Sequence, residues 1–235
     1  MQNTEFRTGV IRPVECYKEA WELIKNQYWL LLAVTIIGIM IGGASMYIVL
    51  GAMMCGMFYC YFQAIDGKKV EIEGLFKGFS YFLPALIVTA VIILPVIIVL
   101  GTVYVPLIIA ASTGGRIGED ELFALLGATL VVEIVFSFFM VCLHTLLMFA
   151  FPLIVDKNLP AWQAMKTSAR AVWANLSGVV GLFVVGFAVN LVGLALFCIG
   201  IYLVIPLVIG ANVVAYRKVF PAANNQDFAA PPNAF

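Results

Sequence analysis

The chain has 235 residues, 63% of them hydrophobic and 11% charged, and its formal net charge at pH 7 is zero. Soluble domains carry about 25% charged residues, and a core of this size cannot hide so much apolar surface from water, so lipid is the expected solvent. The zero balance itself decides little, because the placement of charge matters more than its total.

The first 27 residues hold Arg7, Arg12, Lys18, Lys25 and four glutamates, with no apolar stretch before Tyr28. A cleavable leader is not expected there, and the first span should act as its own insertion signal. Pro13 sits where a helix can begin without an N–H partner. Val14, Tyr17, Trp21, Ile24 and Tyr28 then step by three and four, which predicts one apolar stripe of a helix over 13–27 lying on the membrane surface. Trp29–Gly43 continues as span one and Tyr47–Ala64 as span two, joined by the uncharged turn Ala44, Ser45, Met46. Gly38 and Gly42, and again Ala52 and Gly56, put small residues four apart, a spacing that lets helix backbones approach in lipid.

Asp66–Gly67 predicts a turn. Ile72, Leu75, Phe76, Phe79 and Phe82 or Leu83 form a second short stripe, with Glu71, Glu73 and Lys77 off it. Span three is expected over Phe82–Ala111, kinked at Pro95 and Pro106, where backbone hydrogen bonds are lost. A loop follows over Ser112–Glu121 with Arg116 and the acidic triplet Glu119, Asp120, Glu121; it is expected to be solvated, a cation or partner site being the alternative. From Leu122 to Val155 the chain has hardly a polar break, which predicts one helix of roughly 50 Å, longer than a hydrocarbon core of about 30 Å. Pro160 opens a third amphipathic segment, with Trp162, Met165, Ala169, Val172 and Leu176 as its stripe and Lys166 and Arg170 off it. Spans five and six are expected at Ser177–Leu196 and Cys198–Tyr216, and the tail 221–235 is expected to be disordered.

Set side by side, the pieces suggest three units, about 13–64, 71–155 and 160–217, each a surface helix followed by a two-span hairpin. The best internal match lays Glu22–Trp29 over Arg170–Ser177. Each unit holds an even number of spans, so the repeats should be parallel. The expected fold is therefore all-α: a polytopic membrane protein of six transmembrane helices in one domain, 1–220. Six spans put both termini on one side, with Arg7, Arg12, Lys18, Lys25, Lys68, Lys69, Lys77, Lys157, Lys166, Arg170, Arg217 and Lys218; the other side has Arg116 alone. Twelve against one predicts cytoplasmic termini and cytoplasmic surface helices.

Few residues could carry chemistry. Glu133 falls near the middle of span four, where a charge is expensive and must face the bundle, be protonated or be paired. His144, eleven residues on, returns to nearly the same face but lies roughly 16 Å along the axis. Asn190 and Asn212 are candidate partners for them. The functional reading is a proton or ion relay or a polar pocket; the structural one is interhelical hydrogen bonding. Trp21, Lys25, Lys77, Trp162, Lys166, Arg170 and Trp173 are candidate contacts for anionic lipid headgroups, with topological anchoring as the plainer alternative. Four of the five cysteines, Cys55, Cys60, Cys142 and Cys198, lie in apolar runs, with Cys16 in the first helix; no C-x-x-C pair occurs, so small core residues are expected rather than a disulfide or metal cluster. No phosphate loop, H-E-x-x-H or G-x-S-x-G occurs, so no catalytic residue, metal or cofactor is expected, and nucleic acid is not an expected partner.

The run Phe151-Pro152-Leu153-Ile154-Val155-Asp156, then Ala164-Met165-Lys166-Thr167-Ser168, then Asn175-Leu176 before a span, resembles bacterial integral membrane proteins related to the membrane domain of certain glycerophosphodiester phosphodiesterases. Pro152, Ala164, Ser168 and Asn175 carry the match, which covers about the last 70 residues and the rest only by layout. The resemblance implies a fold and a bacterial inner membrane, and it implies no reaction, since the phosphodiesterase domain has no counterpart here. The expected function is non-enzymatic: an accessory or structural subunit that packs against a larger membrane complex or a second copy of itself, or that organises lipid. The alternative is a small transporter with Glu133 in its path.

Overall fold

The computed structural model describes residues 5–105, 108, 112, 119–195 and 199–221. Among these residues every element is helical, and five stretches are long and apolar enough to cross a membrane. The expected loop over Ser112–Glu121 lies mostly outside the described residues, as do Pro106, Arg116, Cys198 and the tail from 222 onward. The backbone of the acidic triplet is helical, because α5 already begins at Glu119. The chain divides into two compact units, Met1–Val88 with Leu146–Phe235, and Thr89–Thr145.

In the first unit α1 (Pro13–Ile24) has Pro13 in its first turn, as expected, and passes through a single 3-10 turn into α2 (Tyr28–Ala44). Met46 and Tyr47, both left-handed (φ 51° and 68°), turn the chain into α3 (Leu50–Ile65). At 16 residues α3 spans about 24 Å, less than a hydrocarbon core of about 30 Å. Span two is thus shorter than the expected Tyr47–Ala64, because the left-handed turn uses its first residues. A short helix is tolerated here because protein rather than lipid surrounds it: 11 of its 16 residues are buried.

Helix α3 ends in a Schellman motif, with Gly67 N–H bonded to the Ala64 carbonyl and Lys68 N–H to that of Gln63. Gly67 takes the left-handed conformation (φ 71°) that this cap requires. A 3-10 helix (Ile72–Tyr81) then lies directly on α3. A Cβ on Gly78 would stand 1.9 Å from the Ala52 carbonyl oxygen, and one on Gly56 would stand 1.8 Å from that of Leu75. The two backbones touch, and only glycine fits at either place. Helix α4 (Phe82–Val99) begins in this unit and continues into the second.

The long apolar stretch is two helices rather than one, α5 (Glu119–Leu147) and α6 (Ala150–Lys157). The cause is Pro152, whose ring conflicts with the carbonyl of Met148 and which has no N–H to continue the ladder. Ser168 of α7 (Ala161–Ala174) repairs the break: its hydroxyl donates to the Leu146 carbonyl (2.6 Å) and accepts from Phe149 N–H (3.1 Å). Left-handed Asn158 ends α6. Helices α8 (Leu176–Ala195) and α9 (Ile199–Val219) complete the unit.

Three amphipathic helices each pack on another helix: α1 on α9, the 3-10 helix on α3, and α7 on α6. Their buried faces combine small residues with a few large ones. They are Cys16, Ala20 and Ile24 with Tyr17 in α1; Gly74, Leu75 and Gly78 in the 3-10 helix; Ala161, Ala164, Ser168 and Ala171 with Met165 and Val172 in α7. Each expected stripe is divided. Tyr17, Ile24, Leu75, Met165 and Val172 face the protein, while Val14, Trp21, Ile72, Phe76, Phe79 and Trp162 are exposed. The small residues between them let the helices approach closely, which is what contact in an apolar solvent depends on.

In the second unit α4 runs through Pro95 and becomes a π-helix over Leu100–Tyr104, and α5 carries Phe123, Val131, Ile134, Phe138 and Val141 exposed along its length.

Gly78→Val should cost more than the roughly 1–3 kcal/mol of ordinary overpacking, because the clash is with backbone. Gly43→Ala, with nothing within 4 Å of its would-be Cβ, should match or exceed the parent stability. Thermal melting in detergent reads both, and equal melting of the Gly78 variant and the parent would refute the crossing.

Candidate functional site

The residues expected to form an intramembrane polar site stand on α5, α8 and α9. Glu133 is half-buried and His144 exposed on α5, and neither carboxylate nor imidazole has a hydrogen-bond or ion-pair partner among the described residues. Asn190 donates to the Gly186 carbonyl one turn back in its own helix (2.8 Å). Asn212, half-buried in α9, has no side-chain hydrogen bond among the described residues. A helix with its own backbone acceptor available satisfies an asparagine locally.

The expected headgroup residues do share a character: they lie on the outward sides of the amphipathic helices. In α7, Trp162 (64% exposed), Lys166, Arg170 and Trp173 (72%) recur at helical spacing on the face opposite Ala164 and Ser168. The Lys166 ammonium sits 4.8 Å from the Trp162 ring centre. Trp21 stands half-exposed with its ring edge-on to Tyr28 at 5.5 Å, and Lys25 pairs with Glu22. Lys77 donates to the Tyr59 hydroxyl (3.0 Å) and lies 4.9 Å from that ring's centre. Cations seated on aromatic faces at a helix surface suit a boundary that is apolar below and wet above.

A cluster not foreseen from the sequence occupies the ends of α3, α6 and α9. The Arg217 guanidinium donates from Nη1 to Asp156 (2.7 Å) and from Nη2 to Asp66 (3.2 Å). Its plane lies 4.5 Å from the centre of the Phe62 ring. Asp156 also accepts from the Tyr216 hydroxyl (2.8 Å) and faces Lys157 at 3.4 Å. Side-chain exposure is 14% for Arg217 and 7% for Asp156, so the pair is largely withdrawn from water. Tyr216 is packed among the rings of Phe62, Phe149 and Phe220 at 5.1–6.0 Å. With both arms of the guanidinium bound to carboxylates, this is a clamp and not a reactive centre. Its signal was present: Asp66, Asp156 and Arg217 are each the first charged residue after a long apolar run.

Three further polar side chains make cross-chain bonds from one kind of position, the residue just before α2, α4 or α8. The Gln27 amide donates to the Lys68 carbonyl (2.9 Å) and accepts from Val70 N–H (2.7 Å). The Tyr81 hydroxyl donates to the Val155 carbonyl (3.4 Å). The Asn175 amide accepts from Gly9 N–H (2.7 Å) and donates to the Arg7 carbonyl (3.0 Å), while Arg7 N–H reaches the Val219 carbonyl (2.9 Å).

Among the described residues no group of three or more His, Cys, Asp or Glu is placed to hold a metal ion. No protein-family profile, curated protein or solved structure matches the chain.

Arg217→Met should destabilise the protein by about 3–5 kcal/mol, since it strands a buried carboxylate. Adding Asp156→Asn should recover a measurable part of the loss. Additive losses in the double variant, read by melting in detergent, would show that the two side chains act independently.

Proposed function

We infer that the chain is a non-enzymatic, multi-pass protein of the bacterial inner membrane that serves as an accessory subunit, docking to another membrane protein through the unit Thr89–Thr145. The observation that carries this reading is Glu133. A lipid-facing helix tolerates exposed valine and phenylalanine at no cost, and none of the most apolar window of this stretch is buried within the chain. A carboxyl near the middle of that helix is different: hydrocarbon offers it no partner, and its own chain supplies none among the described residues. A hydrogen-bond donor on a neighbouring polypeptide resolves the conflict, whether that neighbour is a different protein or a second copy.

The bonds within the first unit support a reading as three parallel repeats, with α3 counted as one of six spans. Gln27, Tyr81 and Asn175 hold corresponding places, and each bonds to the stretch that leads into the next amphipathic helix. Asn175 thereby joins the third repeat to the first. The three amphipathic helices follow the same cycle, each resting on the last helix of the repeat before it. Twelve of the 13 Lys and Arg fall on one side in this arrangement, which favours cytoplasmic termini and places the outward tryptophans at the cytoplasmic headgroups. The relation to the membrane domain of glycerophosphodiester phosphodiesterases remains a proposal resting on Pro152, Ala164, Ser168 and Asn175.

Purified in mild detergent, the tagged chain should bring down a stoichiometric membrane partner or a second copy. Glu133→Leu should reduce that partner by about tenfold or more, the worth of one charge-assisted bond, while the chain still reaches the membrane. A parent protein that is monomeric and alone, or a Glu133→Leu variant that keeps its partner in full, would sink the docking reading. Proton-linked flux abolished by Glu133→Gln would favour a transporter instead. For topology, a C-terminal reporter should be active only in the cytoplasm.

A further inference from the structure

A cavity of about 230 Å³ opens between the last turns of α3, the stretch 69–71 and the 3-10 helix. Its floor is buried: Cys60, Val70 and Gly74. Around it stand two cations, Lys69 and Lys77, and two carboxylates, Glu71 and Glu73, with the Tyr59 hydroxyl and the Gln63 amide beside them. None of these four charges forms a salt bridge with another, although ion pairs occur elsewhere among the described residues, and Lys77 feels the Glu71 carboxylate only at longer range. Lys77 is fixed by its bond to the Tyr59 hydroxyl and its seat on that ring, which leaves two of its three N–H groups free.

The cavity holds the volume of about eight waters at roughly 30 Å³ each, below the usual 300–1,000 Å³ range of drug-sized ligand pockets. A small polar group fits it. Balanced charge of both signs, unpaired internally, complements a group that itself carries both signs. Beside the cavity, Ile72, Phe76 and Phe79 stand exposed on the 3-10 helix, an apolar wall suited to an acyl chain.

We propose that this cavity binds the zwitterionic headgroup of a phosphoethanolamine lipid, its phosphate held by Lys69 and Lys77 and its primary ammonium by Glu71 and Glu73. The proposal rests on the placement of the amphipathic helices at the headgroup level. A lipid is favoured over free phosphoethanolamine by the adjoining apolar wall.

The test is calorimetric titration of the full-length protein in non-ionic detergent with monomeric dihexanoyl lipids. Dihexanoyl phosphatidylethanolamine should bind saturably. The phosphatidylcholine analogue should bind about tenfold more weakly or worse, because its quaternary ammonium has no N–H to give the carboxylates. The pair Lys69→Gln and Lys77→Gln should weaken the ethanolamine lipid by a similar factor. The pair Glu71→Gln and Glu73→Gln should erase the discrimination between the two lipids. All four side chains are exposed, so the variants should melt like the parent. Equal binding of both lipids by the parent protein, or indifference to both pairs of substitutions, would overturn the proposal. Free phosphoethanolamine binding as tightly as the lipid would overturn the assignment to a lipid. Neither pair touches the unit Thr89–Thr145, so partner capture through Glu133 stands or falls separately.

Discussion

Two carboxylates and one guanidinium decide how the first unit holds together. Asp66 and Asp156 close α3 and α6, and Arg217 near the end of α9 takes one in each arm. Removing three charges from water is costly, and a single ion pair this deep seldom recovers the whole cost. Here the cost is spread over more contacts. Arg217 lies on the Phe62 ring, and Asp156 has Tyr216 and Lys157 as further partners. With Lys157 counted, two negative charges meet two positive ones. The gain is geometric as well as energetic, because a planar fork binding two carboxylates sets the relative positions of three helix ends at once. Lipid alone would let apolar helices slide past one another, since leucine packs against an acyl chain as well as against leucine. A polar clamp at the helix ends removes that freedom.

The same absence of a hydrophobic drive explains why small residues line the contacts of the amphipathic helices while Trp21, Trp162 and Trp173 face outward. In water, burying Trp21 or Trp162 would stabilise the fold; in a bilayer the headgroup zone accommodates an indole better than the core does. Contact between helices then depends on how closely the backbones approach. Gly56 against Leu75, Gly78 against Ala52, and Ala20 and Ile24 against Gly210 are the places where this chain achieves it. Several of the bulkiest residues on a helical wheel therefore leave the protein, and inconspicuous ones hold the close crossings.

This inversion marks the limit of what the sequence disclosed. The helical class, the apolar lengths, Pro13 at a helix start and the turn at Asp66–Gly67 were all legible, because they follow from local chemistry. The stripes were legible as helices but their facing only in part, since periodicity reports which residues are alike and not which neighbour they meet. Pro152 stood in plain view inside the longest apolar run, yet its effect was underrated; the break at Met148–Phe149 depends on Ser168, a residue from another helix, to mend it. The Arg217 clamp and the amides of Gln27 and Asn175 join residues 41–168 positions apart. No spacing rule reaches across such separations. All four residues behind the family resemblance turn out to have structural duties: Pro152 breaks a helix, Ala164 and Ser168 pack and mend, and Asn175 clasps the N-terminal segment. Such positions speak for architecture and carry no information about a reaction.

The two units treat polar groups in opposite ways, and the contrast bears on function. In the first, nearly every buried polar side chain has an identifiable partner: Thr35 with Tyr61, Ser168 with Leu146, Asn175 with Arg7 and Gly9, Asp156 with Arg217. In the second, Thr102, Thr129 and Thr145 each return to a carbonyl of their own helix, which costs nothing in hydrocarbon. Glu133 cannot do this, because a carboxylate has no proton to give to its own backbone and a helix interior has no free N–H to offer it. Protonation would spare the charge and let the hydroxyl return to a carbonyl of its own helix, but would leave the carboxyl's own carbonyl oxygen without a donor. The carboxyl group thus asks for a donor that the helix carrying it does not provide.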